Sequence, residues 1–260
     1  MKKFGFIGMG NMAGAILQGI VEKGGLSADD VYAFDPATEH LQEMARKLGF
    51  HPCASNEEML GKVDTVLVAV KPFLVEQTVA PLRDALKDKV LLSVAAGWDY
   101  DRYAEILDES TRHLFIMPNT PALVGEGMML LEERNSLTET EVEQVVGLMS
   151  LVGEVQILPS ALMDIGGTVS SCAPAFISLV IEAMADGGVM YGLPRPLAYK
   201  LASQAVSGTG KMVLKTGLHP GQLKDMVCSP KGSTILGVAS LEKSGLRDAM
   251  ITAIDTVMKR

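Results

Sequence analysis

Residues 8–13 read Gly-Met-Gly-Asn-Met-Ala, which places small residues at positions 8, 10 and 13. The apolar run "KFGFIG" reaches this stretch from one side, and "NMAGAILQGIVEKG" leaves it with helical periodicity. The glycines therefore fall at a strand-to-helix junction, and the chemistry offered there is anion binding. Gly8 allows the tight turn, Gly10 lets a pyrophosphate approach the backbone, and Ala13 is small enough for close helix–strand packing. Amides from Asn11 and Met12 onward would face the phosphates, with the positive end of the helix dipole behind them. Asp35 ends the next apolar run, "VYAFD", where a carboxylate accepts from a ribose 2′-hydroxyl and repels a 2′-phosphate. No arginine stands in the turn Asp35-Pro36-Ala37-Thr38, and Arg46 lies a helix away. This weights the cofactor toward NADH while keeping NADPH open.

Three further turns follow apolar runs: "AVKP" (Ala69, Val70, Lys71, Pro72), "AAG" (Ala95, Ala96, Gly97) and "MPNTP" (117–121). Ligands of doubly wound sheets bind at such carboxyl ends of strands. Lys71 has two equal readings, a contact to cofactor or substrate and a surface position at a strand end. The cysteines and histidines show no metal-ligand spacing, and no Ser/His/Asp set or carboxylate pair is singled out.

The elements needed to position these turns are legible along the chain. Strands are expected at 3–8, 31–35, 64–70, 89–96, 113–118, 127–132 and 153–158, with helices at 11–24 and 38–49 between the first of them. Ser55 and Glu58 spell a capping box, and another helix opens at "TETEVEQVV". The near-continuous apolar runs call for a parallel sheet covered on both faces. After residue 160 strands give way to helices, at 172–191, 195–216, 220–228 and 246–259. Two domains follow, 1–160 and 161–260. The segment "AFISLVIEAMADGGVMYG" is apolar on most faces, which a covering second subunit explains better than a domain of this size alone.

With 48% hydrophobic residues and a net charge of −8, the chain has a substantial core and no basic stripe, so no nucleic-acid partner is expected. No charge-free run is long enough to span a bilayer, and the first residues lack the apolar segment of a signal peptide. A soluble cytoplasmic protein without a membrane partner is the expectation.

The quoted motifs, with "MPNTPALVGEG", "EAMADGGVMYGLPR", "KMVLKTGLHPGQLKD" and "VCSPKGST", resemble the pyrroline-5-carboxylate reductase family over essentially the whole length. The resemblance implies an α/β chain: an N-terminal Rossmann-like doubly wound domain followed by an all-α C-terminal dimerisation domain. It implies a homodimer through the C-terminal helices, with assembly of dimers up to a decamer. The reaction implied is NADPH- or NADH-dependent reduction of the cyclic imine 1-pyrroline-5-carboxylate to L-proline. By the same resemblance, Gly8 to Ala13 (Met9 included), Asp35, Asn56, Ala69 to Pro72 and Ala95 to Gly97 contact the cofactor. Gly232, Ser233 and Thr234 hold the substrate, and the Thr234 hydroxyl is the candidate catalytic group. Ser233 and Thr234 also read as ordinary helix N-caps.

Two stretches depart from the family: "SSCAPAF", where Ser171, Cys172 and Ala173 stand in a G-S-G-P-A-like segment, and "SPKGST", where Lys231 replaces a glycine. If that position needs positive φ, lysine costs about 1 kcal/mol. Lys231 then either assists carboxylate capture or faces solvent. The alternatives to the imine reductase are a reductase of another cyclic imine, a hydroxyacid dehydrogenase with Lys200, Lys211 or Lys215 as base, and a non-catalytic paralogue.

Overall fold

The computed structural model describes residues 3–259. The chain falls into two compact units, one ending at Cys172 and one beginning at Ala173. In the first, strands β1 (Phe4–Ile7), β2 (Val31–Phe34), β3 (His51–Pro52), β4 (Thr65–Val68), β5 (Val90–Ser93), β6 (Arg112–Met117), β7 (Gly127–Glu132) and β8 (Gly153–Leu158) form one sheet. Their order is β3-β2-β1-β4-β5-β6-β7-β8, a doubly wound arrangement in which the chain reverses direction beside β1. Helices α1 (Asn11–Glu22), α2 (Thr38–Leu48), α3 (Asn56–Leu60), α4 (Val75–Val79), α5 (Tyr100–Ile106), α6 (Glu139–Met149) and α7 (Ser160–Gly167) connect and cover the strands.

Every residue of β1, β4 and β5 is buried, as central strands covered on both faces require. Alternate residues serve opposite faces. Phe4 and Phe6 join Ile16, Leu17 and Ile20 of α1 in one core, while Ile7 joins Val66, Val68 and Leu91 in the other. Strands β7 and β8 span the expected residues end to end. The expectation of a parallel sheet needs one correction: β7 runs antiparallel to β6, with Ile116 opposite Leu131. A parallel neighbour needs a long crossover, and here a 3-10 turn over Thr120–Val124 brings the chain straight back. The Ser55 cap forms, its Oγ accepting from the Glu58 amide at 3.1 Å. The Glu58 carboxylate, however, accepts from Ala54 at 2.7 Å rather than from Ser55 itself.

Beyond β8 the chain is already helical at Ser160, earlier than the helix expected from residue 172. Helix α7 packs on the sheet through Met163, which clusters with Phe115 and Leu130. A π-helical turn over Thr168–Cys172 then leads into α8 (Ala173–Met190). The helical path Ser160–Met190 is long and apolar enough, by length and composition alone, to cross a membrane. Counting charge-free runs missed this because Asp164, Glu182 and Asp186 interrupt it.

The second unit holds α8, α9 (Arg195–Thr216), α10 (Pro220–Met226), α11 (Ser233–Lys243) and α12 (Leu246–Met258). It has little core of its own. Its buried apolar residues, among those described, are Ala185, Ala198, Ala202 and Leu223. Leu179, Met190, Leu214, Leu236 and Ile251 are meanwhile more than 60% exposed.

Candidate functional site

The carboxyl ends of β1, β2, β4 and β5 lie side by side, and the registers Ile7↔Phe34, Ile7↔Val68 and Val68↔Ser93 fix them level with one another. The turns that follow are thereby brought together: Gly8 to Ala13, Asp35, Ala69 to Pro72, and Ala95 to Gly97. Asn56, at the start of α3, belongs to the same edge, because Cys53 donates to the Ala33 carbonyl at 2.8 Å and continues the β2–β3 pairing.

Gly8 has φ +92°, and a Cβ there would meet the Ala69 carbonyl oxygen at 3.0 Å. Its amide donates to Phe34 O at 2.9 Å, so the turn is fastened to β2. Gly10 caps α1 with an extended backbone, φ −76° and ψ −173°, and among the described residues no side chain caps the helix. A Cβ on Gly10 would meet nothing within 4 Å. Ala13 is buried against the strand side, as a small third residue should be. The result is an open helix N-terminus with unclaimed N–H donors, suited to a phosphate.

Asp35 does more than end its strand. One carboxylate oxygen accepts from Met9 N–H at 2.8 Å and the other from Ala37 N–H at 2.8 Å. On the same peptide segment the His40 ring nitrogen Nε2 lies 3.1 Å from the Met9 carbonyl oxygen. The second residue of the glycine turn is thus clasped on both its polar groups by side chains from the β2–α2 region. Asn56 Oδ1 is a buried acceptor with no hydrogen-bond partner among the described residues. A buried acceptor of this kind calls for a donor, and a ribose hydroxyl is one.

Lys71 is exposed. It precedes the 3-10 turn Pro72–Leu74 without capping it by side chain. Sequence reasoning missed the residues that hold these loops. Trp98, 6% exposed, donates from Nε1 to Pro72 O at 2.8 Å and ties the loop after β5 to the loop after β4. Tyr103 donates to Ser93 Oγ at 2.7 Å, and burial pushes its phenol far above the usual range, so it stays protonated. Asn119 of the "MPNTP" turn accepts from Met128 N–H at 2.8 Å and donates to Ser170 O at 3.0 Å. Ser171, one of the departures, donates to Pro118 O at 3.1 Å and so pins the same turn. Trp98 and Pro72 lie 26 positions apart and the Ser170 and Ser171 contacts to the "MPNTP" turn 51 and 53, so the sequence marked that turn and Ser171 without pairing them.

In the helical unit, Gly232 is the N-cap of α11 and no side chain caps it. The reading of Ser233 and Thr234 as caps is therefore corrected: both lie inside the first turn, exposed, with their amides at a helix N-terminus. A β-turn precedes them, closed by Gly232 N–H to Ser229 O at 3.0 Å. Pro230 and Lys231 occupy its centre, and Lys231 has φ 61°. That is the left-handed conformation a type II turn demands of its third residue, normally met by glycine. Lys231→Gly should accordingly raise stability by up to about 1 kcal/mol. The midpoint of thermal unfolding at fixed protein concentration, higher by roughly 2–4 °C, is the check. An unchanged or lower midpoint would show that the lysine carries no strain.

Comparison with known proteins settles the ancestry. A family profile described as pyrroline-5-carboxylate reductase dimerisation matches residues 160–260, and one described as NADP oxidoreductase, coenzyme F420-dependent, matches residues 3–97. A pyrroline-5-carboxylate reductase of Treponema pallidum is 40% identical over 254 residues, 96% of each chain. The chain belongs to the pyrroline-5-carboxylate reductase family. That of Escherichia coli is 38% identical, covering 100% of this chain and 97% of its own. The crystal structure of the Plasmodium falciparum pyrroline carboxylate reductase with NADP bound superposes with a TM-score of 0.89. It has 29% identity and covers 99% of this chain and 95% of that one. The doubly wound unit followed by helices is therefore the family's architecture. The candidate lysines of a hydroxyacid dehydrogenase, Lys200, Lys211 and Lys215, all lie at exposed positions of α9.

Proposed function

We propose that this chain is a pyrroline-5-carboxylate reductase, reducing the imine 1-pyrroline-5-carboxylate to L-proline with a nicotinamide dinucleotide. The observation that carries the reading is full-length relationship to reductases of that name, joined to an open α1 N-terminus and an orphaned Asn56 acceptor. The residues fit the cofactor: amides from Gly10 to Ala13 take its pyrophosphate, and Asp35 and Asn56 take ribose hydroxyls. Ala69 to Pro72 and Ala95 to Gly97 line its path along the strand ends. When bound, the dihydronicotinamide supplies the hydride.

The protein's share of the chemistry is placement. A protonated imine is already an electrophile, so the chain must hold it and keep its proton in place. Gly232, Ser233 and Thr234 hold the substrate carboxylate, Ser233 and Thr234 through their amides and the dipole of α11 while the Gly232 N–H stays on Ser229 O, and the Thr234 hydroxyl accepts from the ring N–H. Residues 161–260 are the dimerisation and substrate-binding domain in this reading. A second copy of the chain buries the apolar side chains that the helical unit leaves exposed, giving a homodimer and, by further pairing, a decamer. The same burial accounts for the apolar helical path without a bilayer, in keeping with a cytoplasmic enzyme.

Purified protein should oxidise NADH or NADPH when given the imine. In Thr234→Ala, KM should rise or kcat fall by roughly tenfold while dinucleotide affinity holds. No oxidation of either cofactor would end the reading. A loss confined to thermal stability would leave Thr234 without a part in the reaction.

A further inference from the structure

We infer that Asp35 makes this chain select NADH over NADPH, an assignment that rests on reading the first unit as a nicotinamide-dinucleotide site. Four observations meet at the carboxyl end of β2. First, Asp35 stands where the doubly wound fold receives the adenine-side ribose. Second, its carboxylate accepts two backbone N–H bonds at 2.8 Å, from Met9 and Ala37. Those bonds hold the acid in place, so it cannot swing aside for a second anion. They also tie any loss of the side chain to the glycine turn.

Third, among the described residues the β2–α2 segment supplies no free positive charge for a 2′-phosphate. The turn Asp35 to Glu39 contains no lysine or arginine, and Glu39 adds a carboxylate in the first turn of α2. Arg46 and Lys47 lie in the last turn of that helix, and Lys47 donates to Gln18. His40 is spent on the Met9 carbonyl at 3.1 Å. The N-terminus of α2 would be the other home for a phosphate. Its first two amides are already claimed, Ala37 by Asp35 and Thr38 by the Pro36 carbonyl at 3.0 Å, and the next belongs to Glu39, whose own carboxylate opposes a phosphate. Fourth, the neighbouring α3 offers another acceptor, the unpartnered Asn56 Oδ1. Acceptors recognise hydroxyl donors. A phosphate ester, which brings oxygens and negative charge, is repelled by the Asp35 carboxylate.

The test is binding, independent of turnover. The full chain is titrated calorimetrically with NAD+ and with NADP+, at low and at high salt, as wild type and as Asp35→Ser. Wild type should bind NADP+ about tenfold more weakly than NAD+ at low salt, with the ratio narrowing as salt screens the repulsion. Asp35→Ser should move the ratio about tenfold toward NADP+ and remove most of its salt dependence. The lost clasp on Met9 weakens both dinucleotides alike, so the ratio isolates the charge. Wild-type binding of NADP+ as tight as NAD+, or a ratio untouched by the substitution, overturns the selectivity and leaves the reductase reading standing. Failure to bind either dinucleotide overturns the site reading and the selectivity with it.

Discussion

Gly10→Val should lower the melting temperature by no more than roughly 2–4 °C yet bind NAD+ at least about tenfold more weakly, a loss of ~1.4 kcal/mol or more. The two halves of that expectation come from one geometric fact. Gly10 has an ordinary backbone conformation for any residue, and a side chain there would touch no protein atom within 4 Å. Neither backbone conformation nor space demands glycine at this position, and valine, a poorer N-cap than glycine, costs the helix no more than about 1 kcal/mol. The empty space lies over the free amides of α1, where a pyrophosphate must come within hydrogen-bonding distance. Two methyl groups placed there would hold it off. Thermal melting and a calorimetric titration of the same preparation test the pair of outcomes. Undiminished binding would move the phosphate site away from α1.

Gly8→Ala should do the reverse, damaging the fold first. Its φ of +92° strains any L-residue, and the added Cβ would sit 3.0 Å from Ala69 O and 3.1 Å from Ala69 C. Those are backbone atoms at the end of β4, held there by the Ala69 amide's bond to Ile7 O at 2.8 Å, so they cannot move without disturbing the central pairing of the sheet. Conformational strain and overpacking together should cost about 2–4 kcal/mol. For a chain of this size that lowers the melting temperature by roughly 5–15 °C. A melt within a degree or two of wild type would refute the close approach of β1 and β4 at this turn.

How much of this could be read from the sequence depends on the distance over which each feature is decided. The roles of Gly8, Gly10 and Ala13 are local, set by one turn between one strand and one helix, and they were legible. So were β7 and β8, whose apolar runs are bounded by glycines and polar residues. The direction of β7 was not, because it depends on whether a helix or a short 3-10 turn joins it to β6. Asp35 was legible as an acid at a strand end but not as the clasp on Met9, a partner 26 positions away. Thr234 was mistaken for a cap because Ser and Thr outrank Gly as N-caps in general. Here the type II turn before the helix delivers Gly232 to that place instead. Lys231 shows how a resemblance can supply a conformation: a family glycine suggested positive φ, and the lysine adopts it at 61°.

The hydrogen bond from Trp98 to Pro72 has a spectroscopic consequence. Trp98 is the sole indole of the chain, so its intrinsic tryptophan emission comes from one chromophore, buried at the seam of two loops beside the proposed nicotinamide path. The guanidinium of Arg102 lies 4.7 Å from its ring. Its fluorescence therefore reports the alignment of those loops without any label, and a dihydronicotinamide bound nearby would act as an energy acceptor for it. The protein carries its own optical gauge of cofactor occupancy.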